Sequence, residues 1–186
     1  AMATEAHRSD ITLILGGARS GKSRLAEQII EREDGNAIYI ATAQARDDEM
    51  TARIAAHRTR RGPHWRTEEI PLDLAQGLPS LLKTGTPILI DCLTLWLSNI
   101  LLADQDAEFV IEALATAIST AEAPLVLVSN ETGLGIVPEN ALARRFRDLS
   151  GIMNQSIAAA SDNVMFVAAG LPLIMKGRNP ADQSSV

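Results

Sequence analysis

The chain has 186 residues, 46% of them apolar and 22% charged, with a formal net charge of −6. That balance suits one globular domain with a sizeable core and argues against a general nucleic-acid surface. No apolar run is long enough to span a bilayer, residues 1–10 do not read as a signal peptide, and the single Cys92 excludes an internal disulfide and fits a reducing cytoplasm.

In chain order, the first ordered segment is I-T-L-I-L-G-G-A-R-S-G-K-S, residues 11–23. Ile11 to Leu15 read as a buried strand, and the rest fits G-x-x-x-x-G-K-[ST], the phosphate-binding P-loop. Gly16, Gly17 and Gly21 allow a turn in which the backbone of Ala18, Arg19 and Ser20 faces a polyphosphate. A helix over 23–32 then begins with its positive dipole end on the same phosphates. Lys22 is expected to bridge the β- and γ-phosphates, and the Ser23 hydroxyl to hold Mg2+.

A second strand is expected at 37–41 and a second helix at 47–60. Asp47 and Asp48 suit its start, while Arg53, His57 and Arg61 recur at four-residue spacing on one face. With Arg58 and Arg60 they form a basic cluster in an acidic chain: either a solvated helix face or a local anion site. Among the three histidines, His7 lies in the irregular N-terminus and His64 beside Pro63 and Trp65, so His57 alone shares the arginine face. An imidazole among arginines could attack phosphorus, with the arginines stabilising charge on the phosphoryl oxygens and on departing pyrophosphate.

The run P-I-L-I-D at 87–91 closes the strand expected at 86–91. Asp91 fits the acid that supports magnesium beside a P-loop, or the N-cap of a helix beginning at Leu93. After a helix at 108–121 and a strand at 124–129, the loop within 128–138 offers Asn130 and Glu131 either to substrate hydroxyls or to a glycine-rich turn. The helix at 139–160 should turn Leu142, Phe146, Leu149 and Met153 inward, with Gly151 as a kink. A last strand is expected at 163–168. Alternation of strands and helices predicts an α/β, doubly wound, mainly parallel sheet of the P-loop NTPase type with helices on both faces. It divides the chain into a flexible N-terminus at 1–10, a single domain at 11–176 and a flexible polar tail at 177–186.

Several blocks taken together resemble the bifunctional adenosylcobinamide kinase / adenosylcobinamide-phosphate guanylyltransferase family of cobalamin biosynthesis. They are G-G-A-R-S-G-K-S at 16–23, Y-I-A-T-A at 39–43, D-D-E-M-x-x-R-I-x-x-H-R at 47–58 and W-R-T-x-E at 65–69. D-C-L-T-L-W-L-S-N at 91–99, N-E-T-G-L-G-I-V-P-E-N at 130–140, L-A-R-R-F-R-D at 142–148, G-x-x-N-Q at 151–155 and A-G-L-P-L at 169–173 complete the set. The P-loop is common to many NTPases; the remaining blocks in this order are specific.

The resemblance implies two reactions. Adenosylcobinamide is phosphorylated on its aminopropanol hydroxyl by ATP or GTP; GMP from GTP is then transferred to that phosphate, giving adenosylcobinamide-GDP and pyrophosphate. It puts the guanylylated histidine at His57. It puts nucleotide contacts at 16–23, at Thr42, Ala43 and Gln44, at Arg58, Thr59, Arg60 and Arg61, at Glu69 and at Asp91. It also implies a homotrimer with nucleotide sites near subunit contacts. The alternative is a simple small-molecule P-loop kinase without a covalent intermediate, in which His57 serves only electrostatics.

Overall fold

The computed structural model describes residues 10–33, 35–44 and 48–182, the Arg53 side chain excepted. β1 (Ile11–Gly16), buried at every position, leads into α1 (Lys22–Glu31), and β2 (Ala37–Ala41) into α2 (Asp48–Arg60). β3 (Trp65–Glu69), α3 (Leu74–Leu82), β4 (Ile88–Asp91), α4 (Leu93–Leu102) and α5 (Ala107–Ile118) follow. β5 (Leu125–Asn130), α6 (Ala141–Ala160), β6 (Asn163–Ala168) and β7 (Leu171–Lys176) complete the chain.

The strands form one seven-stranded sheet in the order β3-β2-β4-β5-β1-β6-β7, parallel except for the β6–β7 hairpin. Side chains alternate across it, as the two-residue period of a strand requires. Ile14 faces α1, packing with Leu25, Ala26, Ile29 and Ile30. Leu13 and Leu15 face the other layer, where α3 to α6 supply Leu78, Trp96, Ile111 and Met153. Helices on both faces explain why the central strands read as unbroken apolar runs. The ends of β1, β2, β4 and β5 all open toward the P-loop, the edge where ligands bind in such sheets.

The doubly wound α/β expectation holds, with elements added. β3 (W-R-T-E-E) is a half-buried edge strand without apolar periodicity. β7 (L-P-L-I-M-K) is apolar yet exposed at all six positions. α3 contains Pro79 and Gly77, which mask a helical reading, and α4 is apolar almost all round, which blurs its period. Helix 108–121 is shorter than expected, ending at Ile118. Helix 139–160 starts at Ala141, because the Asn140 side chain accepts from the Leu142 and Ala143 N–H groups. It runs unbroken through Gly151; Leu149 and Met153 are buried and Phe146 half-buried, whereas Leu142 is 52% exposed and leaves the expected inner face.

Asp47, His7 and residues 183–186 lie outside the described residues. Residues 177–182 run against the domain: Arg32 donates to the Pro180 and Asp182 carbonyls, Arg178 pairs with Asp10, and Asn179 is buried. Among the described residues no helix is long and apolar enough to cross a membrane.

Candidate active site

The P-loop is built by close approach. A Cβ on Gly16 would lie 2.6 Å from both Ser20 Oγ and the Val167 carbonyl oxygen, so only glycine fits there. Gly21 adopts φ +98°, and its missing Cβ would meet Gly170 Cα at 3.2 Å. The Gly170 N–H donates to the Ser20 carbonyl at 2.8 Å, so the β6–β7 turn braces the loop from behind. Lys22 is buried at the start of α1, and its Nζ donates to the Gly17 carbonyl at 2.8 Å. Burial holds its pKa below the usual lysine value, opposed by the negative charge of Asp91.

This loop opens into a cleft of about 700 Å³ lined by Ala18 to Arg24, His57, Arg60, Asp91, Cys92 and Asn130. Ser23 and Asp91 thus reach the cleft from α1 and from the end of β4. A hydroxyl and a carboxylate are hard oxygen donors, the set suited to Mg2+, which keeps waters and phosphate oxygens as its other ligands. Among the described residues there is no cluster of three or more His, Cys, Asp and Glu that could cage an ion. Asp91 also accepts a hydrogen bond from the Tyr39 hydroxyl at 2.9 Å, and burial keeps the adjacent Cys92 thiol protonated by raising its pKa.

Helix α2 delivers the basic cluster. Asp48 and Glu49 occupy its first turn and His57, Arg58 and Arg60 its last, each sign matching the helix dipole. The Arg60 guanidinium donates to Glu27 of α1 at 2.7 Å and lies 3.5 Å from His57 Nδ1. Arg58 pairs with Glu69 of β3 at 2.8 Å, both well exposed, so that contact adds little stability. Arg61, just past the helix, turns inward. It is 6% exposed, its guanidinium carbon sits 3.4 Å from the Tyr39 ring centroid, and its Nε and Nη1 have no hydrogen-bond partner.

Two further pockets continue from the P-loop cleft. His57 and Asp91 are shared with a pocket of about 160 Å³ lined also by Tyr39, Ala43, Ile54, Arg58, Arg61 and Thr67. Ala43, Ile54 and Arg58 are in turn shared with one of about 490 Å³ that includes Gln44, Glu69 and Pro71. The result is a continuous groove from P-loop to Glu69, with His57 at its first junction. His57 is remote from the P-loop in sequence, and no local pattern predicts this juxtaposition; the sheet order makes it.

Beyond the P-loop turn, where Gly16 and Gly17 shape the backbone without lining the cleft, two expected contacts fall outside the groove. The Thr59 hydroxyl donates back to the Ala55 carbonyl on the exposed side of α2. Thr42 is fully buried: its hydroxyl donates to the Cys92 carbonyl at 2.6 Å and accepts from the Cys92 N–H at 3.0 Å, while Asn99 Nδ2 donates to its carbonyl. It clamps β2 to the chain leaving β4, and its neighbours Ala43 and Gln44 do the lining. Thr42→Val should therefore destabilise the fold by about 1–3 kcal/mol in denaturant unfolding. Nucleotide affinity should fall less than it does in Lys22→Ala; the reverse order would restore Thr42 as a direct contact.

Sequence reasoning missed Tyr39 and Leu95 as lining residues. Tyr39 was legible in part, since strand alternation puts it on the same face as Ala41, and both line the smaller pocket.

The sequence profile of the cobinamide kinase / cobinamide phosphate guanyltransferase family matches residues 12–175. The bifunctional adenosylcobalamin biosynthesis protein CobP of Pseudomonas aeruginosa is 54% identical over 168 residues, covering 89% of this chain and 96% of the relative. The corresponding protein CobU of Salmonella typhimurium is 41% identical over 179 residues, covering 88% and 98%. A solved Pyrococcus horikoshii OT3 protein, described only as a structural study, superposes with a TM-score of 0.55 over 92% of this chain and 89% of its own, at 9% identity. That last likeness is one of fold.

Proposed function

The chain belongs to the cobinamide kinase / cobinamide phosphate guanyltransferase family, and we propose that the groove divides its two reactions between the P-loop and His57. The enzyme is a bifunctional kinase and guanylyltransferase. In the kinase reaction the aminopropanol hydroxyl of adenosylcobinamide attacks the γ-phosphorus of ATP or GTP. The β–γ bridge bond breaks, leaving the nucleoside diphosphate, and the hydroxyl proton is released. In the transferase reaction a His57 nitrogen attacks the α-phosphorus of GTP and pyrophosphate leaves. A phosphate oxygen of adenosylcobinamide phosphate then attacks the same phosphorus, the N–P bond breaks, His57 is regenerated, and adenosylcobinamide-GDP forms.

One observation carries this division: His57 lines both the P-loop cleft and the adjoining Arg58–Arg61 pocket. A triphosphate held by residues 16–23 can extend past His57, with Arg60 and Arg61 flanking the α-phosphate and Ala43, Gln44 and Glu69 farther along toward the nucleoside. Ser23 and Asp91 would hold Mg2+, which neutralises phosphate charge when bound. Lys22 compensates the same charge from the loop itself. Two further parts of the reading are a cytoplasmic location, supported by the single buried Cys92, and a homotrimer, supported by the apolar, exposed strand β7.

Intact mass after incubation with GTP and Mg2+ tests the covalent step. A GMP-sized gain should appear and should disappear when cobinamide phosphate is added. No gain under any condition, with γ-phosphate transfer retained, would return the protein to the simple kinase reading.

A further inference from the structure

Tyr39 has no part in the chemistry above, yet it touches two residues that do. It sits in the middle of β2, paired with Thr67 of β3 on one side and Leu89 of β4 on the other, and is 6% exposed. Its hydroxyl donates to Asp91 Oδ2 at 2.9 Å, and its ring face carries the Arg61 guanidinium at 3.4 Å. Trp65 closes on the ring edge-on, 6.4 Å between centroids at 72°. Ring and hydroxyl are thereby fixed by the sheet rather than by a loop.

Asp91 and Arg61 carry opposite charges and line the same small pocket. Brought together, they would form an ion pair and neutralise each other. Tyr39 gives each something else to hold: Asp91 receives a neutral donor, and Arg61 receives a π-face that leaves its Nε and Nη1 free of protein partners. A phenol is protonated near neutral pH, so the Tyr39 hydroxyl serves Asp91 as a donor.

We propose that Tyr39 is a positioning residue that keeps Asp91 and Arg61 apart, holding the carboxylate for the metal-supporting role and the guanidinium for the nucleotide. The proposal rests on the roles given to Asp91 and Arg61 under the proposed function. Its two contacts are separable by substitution. Tyr39→Phe removes the hydroxyl and keeps the platform; Tyr39→Leu removes both.

Mn2+ binding by electron paramagnetic resonance, with the non-hydrolysable analogue GMPPNP present, reads the Asp91 half. Calorimetry with GMP in the absence of metal reads the Arg61 half. Tyr39→Phe should weaken Mn2+ about tenfold and leave metal-free GMP affinity within about twofold, whereas Tyr39→Leu should weaken both. A merely structural role would move the two readouts together in Tyr39→Phe. Asp91→Asn and Arg61→Ala separate the premises from the proposal. If Asp91→Asn weakens Mn2+ and Tyr39→Phe does not, Tyr39 is misassigned. If Asp91→Asn leaves Mn2+ unchanged, or Arg61→Ala leaves GMP unchanged, the role given to that residue falls, and this proposal with it. Should Tyr39→Leu fail to fold, the Tyr39→Phe split still decides.

Discussion

His57→Ala is expected to abolish GMP transfer, with a rate loss on the order of 10⁴ or more, because it removes the attacking atom rather than a supporting contact. No GMP-sized adduct should form on the variant with GTP labelled at the α-phosphate. The kinase reaction should persist, within about tenfold of the parent, since there the acceptor hydroxyl attacks the γ-phosphorus directly. The prediction is sharp because His57 stands at a junction, and its removal leaves the P-loop and Asp91 in place. An adduct on His57→Ala would move the nucleophile elsewhere. Loss of both reactions to the same degree would make His57 a shared electrostatic group.

Lys22→Ala should lower both reactions by about 10²–10³-fold, the scale set by removing one preorganised charge from a transition state. The same side chain clasps the loop through the Gly17 carbonyl, so the variant loses loop order along with phosphate charge. Separate assays with γ-labelled and α-labelled GTP distinguish the two activities. Collapse of one activity alone would contradict a common holder for the triphosphate and require a second nucleotide site.

Much of this was readable before any coordinates. The P-loop, the acid at the end of β4 and the basic α2 each have local signatures, because turn, strand end and helix face are set by nearby residues. The resemblance in the flanking blocks supplied the reaction class. What sequence could not give was contact between distant segments. Tyr39 under Arg61, Gly170 against Gly21 and Glu27 with Arg60 arise from sheet order and helix packing, neither of which leaves a local pattern. Thr42 shows the converse. It lies in a block that the resemblance marks as nucleotide-binding, but burial and two hydrogen bonds with the Cys92 backbone engage its side chain in the fold. Helical spacing puts Leu142 inside, yet as the second residue after the Asn140 cap it stays exposed, and burial begins farther along the helix at Leu149.

The brace behind the P-loop has a consequence for the order in which the protein is made. Residues 16–23 are synthesised before the surfaces that shape them. β1 lies between β5 and β6, and Gly170, in the turn after β6, donates to Ser20. A nascent chain thus carries its phosphate-binding sequence long before it carries a phosphate-binding loop. The loop takes its braced shape only once β5, β6 and the turn at Gly170 have also been made.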